Sequence, residues 1–484
     1  MYNTLMSRAT GHNSADKNSI GHIISSIIPR IQHLSQILTR PTDAATLATF
    51  RVLFGAIMVW EVYRYHVYDR IFRYYILPQF YFTYEFFPFL TPLPGQLMYL
   101  VFFIIGLSAL GIALGFFYRV SAILFFLSYT YVFLLDKAQY NNHYYLISLL
   151  AFLLIWVDAH RWASIDQKLR PNLQAETIPL WHHFIFKAQF VIVYFYAGVA
   201  KLNIDWLAGE PMRRWLLGRA DYPLFGPFFA SEWGAYFFSY GGLIFDLSIG
   251  FLLLWKRTRL LAVVPLLFFH LTNKWLFNIG IFPYMMIAAT ILFADAGWPR
   301  RLLRSAKLKL PGTMPTPGKK SRAVALSFVG LYLALQILIP LRHWLYPSYV
   351  AWSEEGHRFS WRMKLRGKSG NIEYFITDPD AHQSWQVDLR KDLTARQIDK
   401  MATRPDMMIQ YASYLKQEAL AAGIERPIVR ANAWVSLNGR PLQQIVDPQA
   451  NLAEAPLNIL APAQWLLPFD ASLKPQLLTE TDDE

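Results

Sequence analysis

Gln96–Phe116 reads QLMYLVFFIIGLSALGIALGF and carries no charged side chain. As a helix rising ~1.5 Å per residue, this run covers the roughly 30 Å hydrocarbon core of a bilayer. Comparable apolar runs lie near 46–63, 119–136, 143–159, 183–201, 234–255, 258–273, 279–294 and 323–341. The pattern predicts a membrane all-α multi-span helical bundle of about nine transmembrane helices over residues 45–342. The aromatic-rich run 74–90, broken by Pro78 and Pro88, reads as an interfacial or re-entrant segment.

Composition agrees. Of 484 residues, 54% are hydrophobic and 16% charged, against about 25% charged in a typical soluble domain, which excludes a purely water-soluble protein. The net charge of +13 is explained by where the cations sit. Arg30, Arg40, Arg51, Arg119, Arg161, Lys168, Arg170, Lys256, Arg257, Arg259, Arg300, Arg301, Arg304, Lys307, Lys309, Lys319, Lys320 and Arg322 all fall at or between spans of one parity. The loop 202–233, of the other parity, sets three arginines against four carboxylates. The positive-inside rule places the N-terminus in the cytoplasm and the loops near 137–142, 202–233 and 274–278 outside. The charge is therefore an orientation signal: it points to a lipid bilayer and away from nucleic acid. The absence of Cys removes disulfides, thiolate nucleophiles and Cys-based metal sites.

Outside the bundle, 1–44 is expected to be an amphipathic interfacial segment. Ile20, Ile23, Ile24, Ile27, Ile28, Ile31, Leu34 and Leu38 share one helical face, without the continuous apolar core of a cleaved signal peptide. Residues 343–468 read as a smaller extracytoplasmic α+β domain. Strands are expected at Ile372–Thr377 and Trp385–Leu389, and one or two helices across Thr394–Ala422. A hairpin over Ala433–Val446 would turn at Asn438-Gly439. An acidic tail, 469–484, follows.

Polar side chains at the ends of apolar runs or within them are costly unless paired or used. Three clusters stand out. In Asp136–His143, Asn142 and His143 are either part of a polar loop or hydrogen-bonding groups suited to a quinone or quinol oxygen. In Tyr194–Trp206, Lys201 is either a snorkelling lysine or an amine held uncharged in apolar surroundings as a general base. Beside it, Ala197, Gly198 and Ala200 would admit a flat ligand or another helix. The third cluster holds His270, Asn273, Asn278 and Phe282. Asp246, within a span, needs a partner and is read as packing. His160, His182 and His183 lack the spacing and carboxylates of a metal site, so no metal is expected. Phosphate-loop, HExxH and Gly-x-Ser-x-Gly patterns are missing.

Several stretches resemble the vitamin K-dependent γ-glutamyl carboxylase family, whose membrane part is called the horizontally transferred transmembrane (HTTM) domain. They are Arg40–Asp43, Tyr131–Lys137 with Asn141–His143, Ile192–Trp206 (IVYFYAGVAKLNIDW), Gly241–Phe251, Phe269–Tyr284, Trp298–Arg301, Phe359–Trp361 and Trp434–Ser436. The resemblance implies that oxygenation of reduced vitamin K, a naphthohydroquinone, by O2 drives γ-carboxylation of a peptidyl glutamate with CO2. It gives Lys201 the catalytic position and sets Asn142 and His143 at the quinone oxygens. Tyr194, His270 and Phe282 would line the pocket, with Phe359 and Trp361 on the glutamate side. A glutamate-containing peptide or protein is then the substrate. The form resembled is a short, bacterial-type one, which implies a bacterial inner membrane with the site facing the periplasm. Ala200-Lys201 stands where animal members have two lysines, and Phe359 where they have Tyr. The chain also ends earlier than theirs, so quinol oxygenation is the better supported half-reaction. Two other readings remain open: a quinol epoxidase without carboxylation, and a quinone-binding membrane protein or transporter without enzymatic activity.

Overall fold

The computed structural model describes residues 29–30, 32–277, 279–302, 318–456 and 461–476. The Ile20–Ile31 stripe, Asn278 and the cations Arg304, Lys307 and Lys309 lie outside the described residues.

The chain is mostly helical, with a small sheet region. Six helices are long and apolar enough to cross a membrane: α1 (Ala45–Val67), α2 (Leu97–Leu114), α5 (Trp181–Ala200), α6 (Glu232–Leu254), α7 (Arg259–Phe277) and α9 (Lys319–Leu341). Shorter apolar helices α3 (Tyr118–Leu134), α4 (Asn142–Trp156) and α8 (Phe282–Phe293) occupy three further expected runs. Helices suit such sequences because hydrocarbon offers the backbone no outside hydrogen-bond partner.

Small residues set how closely the helices approach. A Cβ on Gly55 of α1 would lie 2.6 Å from the Ala109 carbonyl oxygen and the Ala113 nitrogen of α2. Gly115 ends α2 in the left-handed region (φ 63°). The fully buried Arg51 guanidinium occupies the space beside it and donates to the Ile112 (3.2 Å) and Ala163 (2.5 Å) carbonyls. Arg51, read in the sequence as a flanking cation, is thus an internal tie between the end of α2 and the segment at Ala163. Tyr332 of α9 donates to Gln189 (2.6 Å) and Tyr196 of α5 donates to the Ile337 carbonyl (2.7 Å), joining those helices.

At one end of the bundle Arg119 pairs with Asp158 (2.7 Å), Arg300 with Asp43 (3.0 Å) and Arg301 with Asp295 (3.0 Å). Here β1 (Pro41–Asp43) pairs antiparallel with β2 (Thr177–Pro179). The expected interfacial segment 1–44 therefore ends inside the fold, with Leu38 buried.

A four-stranded antiparallel sheet, in the order β4-β3-β5-β6, forms the C-terminal unit. Its strands are β3 (Lys368–Asp378), β4 (Gln383–Gln386), β5 (Ile428–Leu437) and β6 (Gln443–Gln444). Alternate residues Ile372, Tyr374 and Ile376 meet Val429, Ala431 and Ala433 beneath α10 (Ala395–Met401) and α11 (Pro405–Ala421). β4 stops short of the expected Leu389 because Asp388 caps a 3-10 turn there. Asn438 (φ 51°) and Gly439 (φ 71°) turn the expected hairpin.

Two further segments differ from the sequence reading. Segment 74–90 does not stand alone at an interface: Phe82 is fully buried in the C-terminal unit's core, with Phe80 packed against it. The Gln79 and Phe80 amides donate to the Asp392 carbonyl (3.2 and 3.3 Å). The tail expected from 469 also begins inside the fold, where Phe469 packs on Trp352 and Tyr349; residues 477–484 lie outside the described residues.

Replacing Gly55 with Leu should force α1 and α2 apart and lower stability by about 1–3 kcal/mol. Thermal unfolding in detergent reads the loss. Gly330→Leu, where nothing lies within 4 Å of the new Cβ, should unfold as the parent does.

Candidate active site

The Ala197–Trp206 stretch positions a lysine and the groups around it. A Cβ on Gly198 would meet the Leu247 backbone nitrogen at 2.8 Å, so this glycine lets α6 close on α5. Of the two uses open to the small residues, close approach of a second helix is the one observed. That approach sets Asp246 of α6 beside Lys201, with Nζ 2.5 Å from Oδ2 and 3.3 Å from the Ala197 carbonyl. The lysine is 5% exposed and the aspartate 4%. Asp246 is therefore the partner of Lys201, and the amine is not alone in apolar surroundings as the sequence suggested.

The chain then turns at Asn203, whose Oδ1 accepts from the Trp206 amide (3.0 Å) while Nδ2 donates to the Ala200 carbonyl (3.0 Å). Trp206 is thereby held with its ring 5.1 Å from Lys201 Nζ, and its indole donates to the Ser239 carbonyl (2.8 Å). Asp205 faces the C-terminal unit. It accepts from Arg440 Nη2 at 2.6 Å and from Asn438 Nδ2 at 2.7 Å, at the tip of the β5–β6 hairpin.

Lys201, Asp246, Tyr194, His270 and Phe282 line one cavity of about 260 Å³, just below the roughly 300–1,000 Å³ usual for ligand sites. Phe245 and Phe269 stack in its wall, 4.0 Å apart and 18° from parallel. Tyr194 bonds His270 Nε2 (2.8 Å), while His270 Nδ1 is buried without a partner among the described residues. Met363 and Lys364 line the cavity from the C-terminal side.

The other predicted residues sit elsewhere. His143 does not line the cavity; its ring lies 5.9 Å from Phe282, which does. Asn142 is held by the C-terminal segment: Nδ2 donates to the Arg362 carbonyl (3.1 Å) and Oδ1 accepts from Tyr140 (3.1 Å). The Tyr140 oxygen also accepts from the Phe359 amide (2.6 Å). Phe359 lines a second cavity of about 150 Å³ with Arg342, Arg358, Glu85 and Asp406. Trp361, fully buried, stacks on Tyr145 at 4.9 Å. No group of three or more His, Asp or Glu suited to a metal occurs among the described residues.

Two family models cover this arrangement. The HTTM domain matches residues 39–298, and the vitamin K-dependent gamma-carboxylase lumenal domain matches 321–472. The chain belongs to the vitamin K-dependent carboxylase family. It is thus an enzyme family member with a membrane-embedded HTTM part, and the Lys201 cavity falls between elements of both matched regions. No solved structure matches the chain.

Sequence reading missed Asp246 as a site residue, as well as Met363 and Lys364. For Asp246 the signal was present: one carboxylate inside a span, with a lysine at the end of the preceding one. The charges round the second cavity also escaped it. Lys137, fully buried, pairs with Glu85 (2.5 Å) and Asp406 (3.2 Å), and Arg358 pairs with Asp406 (2.5 Å). Burial pushes the Asp406 carboxyl up, but Arg358 and then Lys137 outweigh it and hold the group at about 2. Burial similarly lowers the Lys368 amine to about 8, against the raising effect of Glu354.

An aspartate in an unfolded chain titrates near ~3.9. Asp406, lowered in the fold, therefore contributes stability that is complete above about pH 4 and is lost as pH falls towards about 2. Asp406→Asn should flatten the pH dependence of unfolding across that window. At neutral pH it should cost about 3 kcal/mol, because buried cations lose a partner; thermal unfolding at stepped pH measures both effects.

Proposed function

We propose that the chain carboxylates peptidyl glutamate at its γ-carbon, driven by oxygenation of a reduced naphthoquinone held in the Lys201 cavity. The observation that carries this reading is the Lys201–Asp246 pair in an aromatic-walled cavity. The fit of such a ring is supported by the flat Phe245 and Phe269 faces, and by His270 Nδ1, a buried polar atom without a partner among the described residues. When bound, the quinol supplies, through its oxidation by O2 to the epoxide with release of water, a base stronger than any side chain.

The chain's own residues then have separable tasks. Lys201 Nζ accepts a hydroxyl proton from the bound ring. Its lone pair must be free at that moment, which places the proton shared by the pair on the Asp246 carboxyl. Tyr194 fixes the orientation of His270 through Nε2, leaving Nδ1 to meet a ring oxygen. Phe245, Phe269 and Phe282 exclude water, so that the γ-carbanion adds CO2 before it recovers a proton. Asn142 and His143 act from behind this wall: Asn142 anchors the Arg362 backbone, and His143 backs Phe282. Phe359 is assigned to peptide contact at the second cavity, and Trp361 to holding the loop between the two cavities. The cation-rich end, with Arg119, Arg300 and Arg301, is assigned to the cytoplasm, and the cavity and C-terminal unit to the opposite side of the membrane.

Purified protein given a reduced naphthoquinone, O2, labelled bicarbonate and a Glu-rich peptide should form quinone epoxide and labelled γ-carboxyglutamate. Lys201→Ala should reduce epoxide formation by roughly 100-fold or more; unchanged epoxide would remove the lysine's assigned role. Epoxide without labelled peptide would identify an epoxidase alone.

Asp246→Asn should cut epoxide formation by about tenfold or more and alter its pH profile. A plain loss of yield with an unaltered profile would leave Asp246 a packing residue.

A further inference from the structure

The Lys201 cavity contains two lysines and one aspartate, and Lys201 occupies that aspartate. Lys364 is left over. Its Nζ lies 5.4 Å from the Trp215 ring and 5.1 Å from that of Phe277. Ring faces attract a cation without neutralising it. Among the described residues neither an ion pair nor a side-chain hydrogen bond holds this amine. Lys201, Asp246 and His270 are buried, whereas Lys364 is exposed, which sets it at the mouth of the same cavity.

The backbone that delivers Lys364 is unusual. Phe359, Trp361 and Lys364 have φ of 64°, 55° and 48°, a left-handed region that non-glycine residues seldom occupy. Buried Trp361, the Asn142 bond to the Arg362 carbonyl and the buried Leu365 hold this shape. Retained strain of this kind belongs where side-chain placement matters.

We propose that Lys364 anchors the γ-carboxylate of the substrate glutamate at the mouth of the Lys201 cavity. The inference rests on the carboxylase reading given above. A neutral aromatic quinol suits the apolar interior; an anion arriving from water suits the exposed cation at the mouth. The chemistry points the same way. Removing a γ-proton spreads a second negative charge onto the neighbouring carboxylate, so a cation fixed there stabilises the transition state more than the ground state.

The test measures KM for peptide and for quinol separately, in full-length protein, for the parent, Lys364→Met, Lys364→Gln and Lys364→Arg. A Gln-for-Glu peptide serves as competitor. The expected result is a peptide KM raised tenfold or more in Lys364→Met and Lys364→Gln. Lys364→Arg should stay within about threefold of the parent, and quinol KM should hold throughout. The parent should prefer the Glu to the Gln peptide, and the Met variant should not. Peptide KM within twofold of the parent in both neutral variants would overturn the proposal, as would a rise confined to quinol KM. An unchanged quinol KM certifies that the variant is folded. Failure of the parent itself to label the peptide would instead overturn the carboxylase reading.

Discussion

A lysine and an aspartate buried together between two apolar helices are the constraint around which this molecule is arranged. Neither could stay ionised there alone, since transfer of a lone charge from water into such surroundings costs several kcal/mol even after relaxation. Pairing removes much of that cost only when the two side chains meet, and they meet because Gly198 has no side chain to hold α6 away. The result is a buried, hydrogen-bonded pair walled by aromatic rings. In water this pair would be an ordinary surface ion pair with little consequence.

The same stretch of chain connects that pair to the C-terminal unit. Asn203 shapes the turn, Trp206 covers the amine, and Asp205, in the same short helix, receives Arg440 and Asn438. Of two adjacent residues, one therefore faces the Lys201 amine and the other the docked sheet. A disturbance of the hairpin tip has a covalent route of few bonds to the lysine. Asn142 provides a second tie, from the start of α4 to the Arg362 backbone.

Helices were legible in the sequence because uninterrupted apolar length is a local property, and each apolar run became a helix. The C-terminal strands and the Asn438-Gly439 turn were legible for a similar reason: alternation and turn chemistry are written within a few residues. What failed locally was partnership. Asp246 and Lys201 are distant in the chain, and nothing near either names the other. Phe80 and Phe82 look like interfacial aromatics until a domain far along the chain folds over them. Arg51 looked like a topological marker because the carbonyls it caps belong to other segments. At the site, Lys201, Tyr194, His270 and Phe282 do share a cavity, whereas Asn142, Phe359 and Trp361 are set apart from it.

The loop from Phe359 to Lys364 reaches both cavities and so ties the sheet unit to the bundle. Its first residue lines the second cavity, its third is locked in the core against Tyr145, and its last two line the Lys201 cavity. Without those two residues the Lys201–Asp246 pair would lose part of the wall that separates it from water. The lining of the cavity therefore depends on the C-terminal unit, even though the aspartate and the lysine both come from the membrane helices. The left-handed backbone of this loop is the local cost of spanning two cavities in so few residues, and the stacking of Trp361 on Tyr145 helps to hold it there.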